Sequence, residues 1–363
     1  MTSKIVANFE ISYKQILSES GDLVDKLPDF AKNTDELLAM YKMMVLTRTF
    51  DTKAIALQRT GKLGTYPSTL GQEAISVAVG SSMRNEDVLC PYYREIGAQF
   101  WRGVKMEEIL AFWGGNEDGN NYQYGAKQDL PVCVPISSQN LHAVGVASAF
   151  KYRKENRVAV AVVGEGGTSR GDFYEAMNVA GVWELPVVFV INNNKWAISV
   201  PSANQTKAQT FAQKAVAAGI SSTQVDGNDI MATREAIDIA IAKARSQQKP
   251  SVIEAISYRM CDHTTADDAR RYRSDDELKA SKLKDPITRF KTYLLATKHL
   301  TEEQDKSIYD DAVKQVNEAV DKYINLPKRS HAEMFNYLYK ELPEAYEWQR
   351  DEVLAIKEDD SHG

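Results

Sequence analysis

The stretch RVAVAVVGEGGTSRGDFYEAMNVAGVWELPVVFVINNNKW, residues 157–196, decides the fold. It opens on a continuous apolar run, residues 157–163, which reads as a strand covered on both faces. Residues 171–185 are rich in small side chains and read as a helix, and residues 186–191 (PVVFVI) as a second buried strand. Strand, helix and strand within about 35 residues form a βαβ unit with parallel strands and a right-handed crossover. In such a sheet ligands bind beyond the carboxyl ends of the strands. The segments that fall there are the turn GEGG (164–167) and NNNKW (192–196).

Working outward, residues 35–60 show helical apolar spacing with Gly61 as a stop, and residues 71–83 read as another helix, followed by a short strand at 87–90. A further helix over 231–248 and a strand over 250–257 continue the alternation. The fold class is therefore α/β, a parallel sheet with helices on both faces and helical N- and C-terminal extensions. The expected organisation is an N-terminal arm over 1–34, an α/β domain over 35–275 and a helical extension over 276–363. Within the last, residues 301–324 form a charged amphipathic helix, whose polar face is either solvated or a partner surface.

The composition is that of an ordinary soluble globular protein: 363 residues, a formal charge of −6, 43% hydrophobic and 26% charged. Mild acidity argues against a nucleic-acid surface. No run approaches the roughly 18 apolar residues of a membrane span, and the first residues, MTSKIVANFEISYKQ, lack the apolar region and cleavage site of a signal peptide. Cys90, Cys133 and Cys261 are isolated thiols without metal or disulfide spacing. A reducing compartment is expected, the cytoplasm or an organellar matrix.

Glu165 raises the chemical question, because glycine turns at strand ends hold anions and a carboxylate repels them. A P-loop is excluded: Arg170 follows Gly164 by six positions and no Lys-Ser/Thr pair is present. The dinucleotide fingerprint also fails, since its third glycine position holds Ser169. A cation between carboxylate and anion resolves the conflict. Mg2+ takes oxygen ligands and is commonly shared between a carboxylate and phosphates. Glu165, an Asn side chain from the next strand end and a nearby carbonyl can supply such oxygens, while free turn N–H groups and the following helix N-terminus hold the phosphates. The plain alternative is a tight turn at Gly164 and Gly166, with Glu165 a solvated acid.

At this point the wording GEGGTSRGDFYEAMNVAGVWELPVVFVINNNKWAIS resembles the thiamine-diphosphate motif of the alpha subunits of 2-oxo acid dehydrogenases. Further matches in the same order are GTYPSTLGQEA (64–74), YYREIG (92–97), PISSQNLHAVGVA (135–147) and YRMCDHTTADDARRYR (258–273), together spanning most of residues 35–275. The resemblance implies that Glu165, in place of the commoner Asp, binds Mg2+ with Asn194 and the backbone oxygen of Trp196. It implies that Gly164, Gly166 and Gly167 approach the diphosphate by main chain and that Tyr93 and Arg94 hold its terminal phosphate. A guanidinium suits that task through forked bonds, though an Arg read alone is more often a surface ion-pair member. Val134 and Ile136 fall where the family contacts the aminopyrimidine ring, Ile136 wedging the cofactor into a bent form. Read alone, Ile136 is a core residue.

Among the five histidines, His142 lies in an apolar helical pattern and is expected to pack there, while His299, His331 and His362 lie in the polar tail. His263 stands in a loop dense in charge, suited to acid–base work, and the resemblance makes it catalytic. Arg259, Arg270, Arg271 and Arg273 are expected to order that loop by pairing with Asp267 and Asp268. Thr264 follows the histidine, so the serine phosphorylation that controls this loop in some animal homologues is not carried over.

The implied activity is oxidative decarboxylation of a 2-oxo acid, pyruvate first and branched-chain acids second, with acetoin cleavage further behind, and acyl transfer to the lipoyl group of an acyltransferase component. The glutamate that activates the thiamine pyrimidine comes, in this family, from a separate beta subunit. The expectation is an α2β2 heterotetramer in which this chain alone is inactive. Rival readings are a non-catalytic scaffold and a Mg2+-dependent phosphoryl-transfer enzyme. Intact Glu165, Asn194, Arg94 and His263 weigh against the first, and the missing P-loop lysine against the second.

Overall fold

Alternate residues of the strand opened by Ala159 serve two different cores. Val160 and Val162 pack with Leu89, Val188 and Val190 on one side; Ala159, Ala161 and Val163 pack with Phe189 and Ile191 on the other. This period-two division on an all-apolar strand requires helices on both faces, and the computed structural model shows them. It describes residues 3–123, 125–327, 329–336 and 338–356; His362 lies outside them.

The described strands are β1 (Tyr13–Lys14), β2 (Val88–Cys90), β3 (Ala159–Gly164), β4 (Val187–Asn193), β5 (Trp196–Ala197), β6 (Val200–Pro201), β7 (Ser221–Asp226) and β8 (Ser251–Ile256). Six form one parallel sheet in the order β1-β7-β8-β4-β3-β2, and β5 pairs antiparallel with β6. The helices are α1 (Thr34–Arg59), α2 (Glu73–Ser82), α3 (Ile96–Trp101), α4 (Met106–Trp113), α5 (Ser138–Arg153), α6 (Gly171–Val182), α7 (Ile230–Gln247), α8 (Asp275–Lys282), α9 (Pro286–Ala296), α10 (Glu302–Ile324), α11 (Glu333–Asn336) and α12 (Glu344–Ala355). Buried residues of α1, α2, α7 and α9 cover one face of the sheet, and those of α5 and α6 the other.

Local chemistry sets the element ends. Asn33 caps α1 by accepting from the Asp35 N–H. Gly61, at φ +71°, closes it: its N–H donates to Gln58 and that of Lys62 to Leu57, a left-handed C-terminal lock. The N-terminal segment is more than an extended arm. It supplies β1, and Ile16 and Leu17 are fully buried with both N–H groups on the Asp229 carboxylate at 2.7 and 2.6 Å. The chain divides into two compact units, Met1–Asp321 and Lys322–Gly363. No described helix is long and apolar enough to cross a membrane.

Candidate cofactor site

Strand register brings the two polar segments together. Gly164, the last residue of β3, pairs with Asn192 of β4, so the residues just beyond them meet at the carboxyl edge. The Asn194 N–H donates to one oxygen of Glu165 at 3.2 Å, and the Gln205 amide donates to the other at 3.2 Å. Glu165 is 1% exposed and forms no ion pair among the described residues. Burial raises its pKa, against the smaller opposing effects of these donors and of Arg259. Asn194 donates to the Gln72 side chain at 3.0 Å and accepts from the Trp196 N–H at 3.2 Å. The Trp196 carbonyl accepts from Arg259 at 3.2 Å.

Glu165, Asn194 and Trp196 line a cavity of about 220 Å³, whose walls also include Tyr93, Arg94, Ile136, Gly164, Gly166, Gly167 and His263. A Cβ at Gly166 would lie 2.5 Å from Ala197 Cβ, and one at Gly167 2.5 Å from Val163 Cγ2. Both positions therefore require glycine for space. At Gly164 the nearest atom would be 3.7 Å away, an ordinary contact, so that glycine is not required by the protein's own packing. Ile136 is not a core residue: it is 42% exposed at the cavity wall. Val134 is half-exposed and outside the wall. His142 is also exposed, because it falls on the outer face of α5 whereas Ala143 and Ala147 turn inward.

His263 is held between two guanidinium groups. Its Nδ1 lies 3.2 Å from Arg94 Nη2 and 3.3 Å from Arg259 Nη1, and its carbonyl accepts from Arg94 at 2.6 Å. Guanidinium offers only donors, so Nδ1 accepts and the ring proton sits on Nε2. Burial, then Arg94 and Arg259, push the His263 pKa down to about 4, so the imidazole is neutral at pH 7. Arg94 also donates to the Ser68 carbonyl. That contact joins it to Asp51, which accepts from Tyr66, Ser68 and Thr69 and ties α1 to the loop at 64–70.

The loop at 258–273 is ordered differently from the expected acid–arginine pairing. Among the described residues only Arg270 forms such a pair, with Asp268 at 2.8 Å on the surface. Asp267 instead accepts from the His263 N–H at 2.8 Å and from the Tyr272 hydroxyl. Arg259 and Arg273 donate to carbonyls, those of Trp196 and Ile198 and that of Cys261. Bare backbone oxygens in a tightly folded loop need donors, and guanidinium supplies several at once.

Sequence reading missed several participants. Gln72, Gln139 and Gln205 each keep one buried side-chain atom without a partner among the described residues. Gln139 lines the cavity while its amide donates to the Val162 carbonyl at 2.8 Å. From the sequence Arg259 reads only as a loop cation. Gln72 and Gln139 lay within quoted motifs, whereas Lys214 and Gln205 carried no signal.

Residues 41–331 match the family described as dehydrogenase E1 component. The chain is 39% identical over 345 residues to a pyruvate dehydrogenase E1 component subunit alpha of Acholeplasma laidlawii, covering 93% of this chain and 100% of that protein. It is 39% identical over 316 residues to a 3-methyl-2-oxobutanoate dehydrogenase subunit alpha of Mycobacterium tuberculosis (strain ATCC 25618 / H37Rv), covering 87% and 86%. It is 38% identical over 334 residues to a pyruvate dehydrogenase E1 component subunit alpha of Staphylococcus aureus (strain COL), covering 91% and 89%. The chain belongs to the dehydrogenase E1 component family, as an alpha subunit of a 2-oxo acid dehydrogenase. The family implies thiamine diphosphate, a beta subunit and complex partners.

The residues present fit that cofactor. A buried carboxylate without an ion-pair partner among the described residues, an adjacent amide and a carbonyl are hard oxygen donors. Beside them lies Gly164, whose missing side chain leaves space that the protein's own packing does not need.

Proposed function

We propose that this chain is the alpha subunit of a pyruvate dehydrogenase and holds thiamine diphosphate and Mg2+ at the carboxyl edge of β3 and β4. The observation that carries the metal is Glu165, fully buried yet without an ion-pair partner among the described residues. Glu165, Asn194 and the Trp196 carbonyl would hold the ion. The backbone at Gly164, Gly166 and Gly167, with Tyr93 and Arg94, would hold the diphosphate. Ile136, at the cavity wall, would border the pyrimidine as the wedge. Bound there, thiamine diphosphate supplies the carbanion chemistry needed to decarboxylate a 2-oxo acid.

The protein's part is electrostatic and positional. His263, neutral with its proton on Nε2, would donate a hydrogen bond to a developing oxyanion without itself repelling Mg2+. The acyl unit passes to a lipoyl group on the acyltransferase component. A beta subunit completes the site in an α2β2 heterotetramer, and a cytoplasmic location accords with three free cysteines.

The test is a substrate panel on the chain purified alone and with its beta partner. Pyruvate-dependent release of carbon dioxide is expected from the pair and not from the chain alone; full-rate turnover by the isolated chain overturns the shared-site reading. Branched-chain acids are the second reading, supported by identity to the Mycobacterium relative equal to that shown by the Acholeplasma one. A higher kcat/KM for 3-methyl-2-oxobutanoate than for pyruvate would select it.

A further inference from the structure

Lys214 is 7% exposed, and its ammonium is spent wholly on the turn and on aromatic faces. It donates to the Thr168 hydroxyl and to the Thr168 carbonyl, both at 2.8 Å. It also sits 5.3 Å from the ring centres of Tyr174 and Phe211. The Thr168 hydroxyl in turn donates to the Glu165 carbonyl at 2.6 Å. A continuous chain of donors thus runs from Lys214 through Thr168 to the backbone of Glu165, each bond polarising the next.

Among the described residues the ammonium meets no carboxylate, and burial pulls its pKa down to about 8. A buried, unpaired cation is costly, and a neutral side chain of equal length would fill the space without that cost. The backbone around it is also fixed. The Ala212 N–H donates to buried Glu254 at 3.0 Å, and Glu254 is held by Asn193 at 2.7 Å and by Gln224 at 3.0 Å. The charge is therefore preorganised beside a turn that carries two space-demanding glycines. What would compensate it is an anion arriving on that turn.

We infer that Lys214 is a positioning residue for diphosphate binding: it fixes the turn through Thr168 and supplies a standing positive charge that the bound diphosphate neutralises. This rests on the reading of the turn as the diphosphate site, and the experiment separates the two. Calorimetry on the alpha–beta complex compares wild type, K214R, K214M, K214Q and T168V. Each is titrated with thiamine diphosphate plus Mg2+ and, separately, with inorganic pyrophosphate plus Mg2+.

Loss of a charge-assisted bond predicts a rise in Kd of roughly ten- to a hundredfold for K214M and K214Q with both ligands. K214R should recover most of it, and T168V should weaken binding in the same direction. The loss should fall on affinity, with kcat at saturating cofactor reduced by much less. The melting temperature without ligand should hold or rise in K214M, since a buried charge is removed. Unchanged pyrophosphate affinity in both neutral variants, or a lowered melting temperature with unchanged affinity, overturns the inference. Failure of the wild-type complex to take thiamine diphosphate overturns the cofactor reading instead, and the pyrophosphate arm still decides Lys214.

Discussion

The turn at 164–168 and the loop at 258–273 face each other across one cavity and are built on opposite principles. The turn is poor in side chains and carries one buried carboxylate, gripped from the segment after β6 by Gln205 and Lys214. The loop is rich in guanidinium groups, and Arg94 reaches it from 169 residues away to hold His263. One wall therefore presents a buried carboxylate and the other buried guanidinium groups. Such a cavity suits a ligand that brings a cation and an anion together, while burial and the flanking arginines keep the histidine uncharged.

Four changes break or sharpen this contrast. The largest effect is expected for His263→Ala, a fall of roughly 10²–10⁴-fold in turnover by the complex, the range of acid–base groups. Steady-state rates at saturating cofactor check it, and a drop of less than tenfold would remove His263 from the chemistry. Next, Glu165→Gln should leave the fold intact yet weaken Mg2+-dependent binding of thiamine diphosphate by about 100-fold or more, given that even outer-shell partners of metal ligands are worth 10–100-fold. Calorimetry with and without Mg2+ decides it; equal affinities would detach the carboxylate from the metal.

Arg259→Met should act on the opposite wall. With one of the two flanking cations gone, the His263 pKa should climb from about 4 toward its ordinary value. The acid limb of the pH–rate profile would move to higher pH, with a loss of about tenfold at pH 7 as the loop loosens. A limb that stays in place would show that burial alone sets the imidazole.

The smallest effect concerns Glu95, which follows Arg94 and is fully buried with only the Ser76 hydroxyl to favour its charged form among the described residues. Burial raises its pKa to about 8. The folded state thus binds a proton that the unfolded state releases between about pH 4.5 and 8, and stability falls as pH rises through that window. Glu95→Gln should match wild type in thermal melts at pH 4.5, gain on it up to pH 8 and run parallel above. A constant offset across pH would mean that the carboxyl is already ionised.

How much was legible follows from how far each signal reaches along the chain. The apolar run before Gly164, the helix after Ser169 and the second run before Asn192 are local, and the β3–α6–β4 unit follows them. Gly61 closing α1 was equally readable. Glu165 and Asn194 could be placed together because parallel neighbours put 29 residues of βαβ chain end to end at one edge. His142 was misplaced because an apolar pattern does not say which face of α5 meets the sheet. Ile136 looked like core because a hydrophobic side chain carries no mark of the cavity it borders.

The sequence by itself determined the α/β class, the position of the turn and the oxygen donors that meet there, since periodicity, glycine and carboxylate are properties of short segments. Only the tertiary structure decided which cations surround the histidine, that Asp267 answers to Tyr272 rather than to an arginine, and that Lys214 is spent on Thr168. Those choices depend on long side chains from distant segments converging on the same backbone carbonyls, and a guanidinium or ammonium is drawn to whichever unsatisfied oxygen the fold leaves within reach.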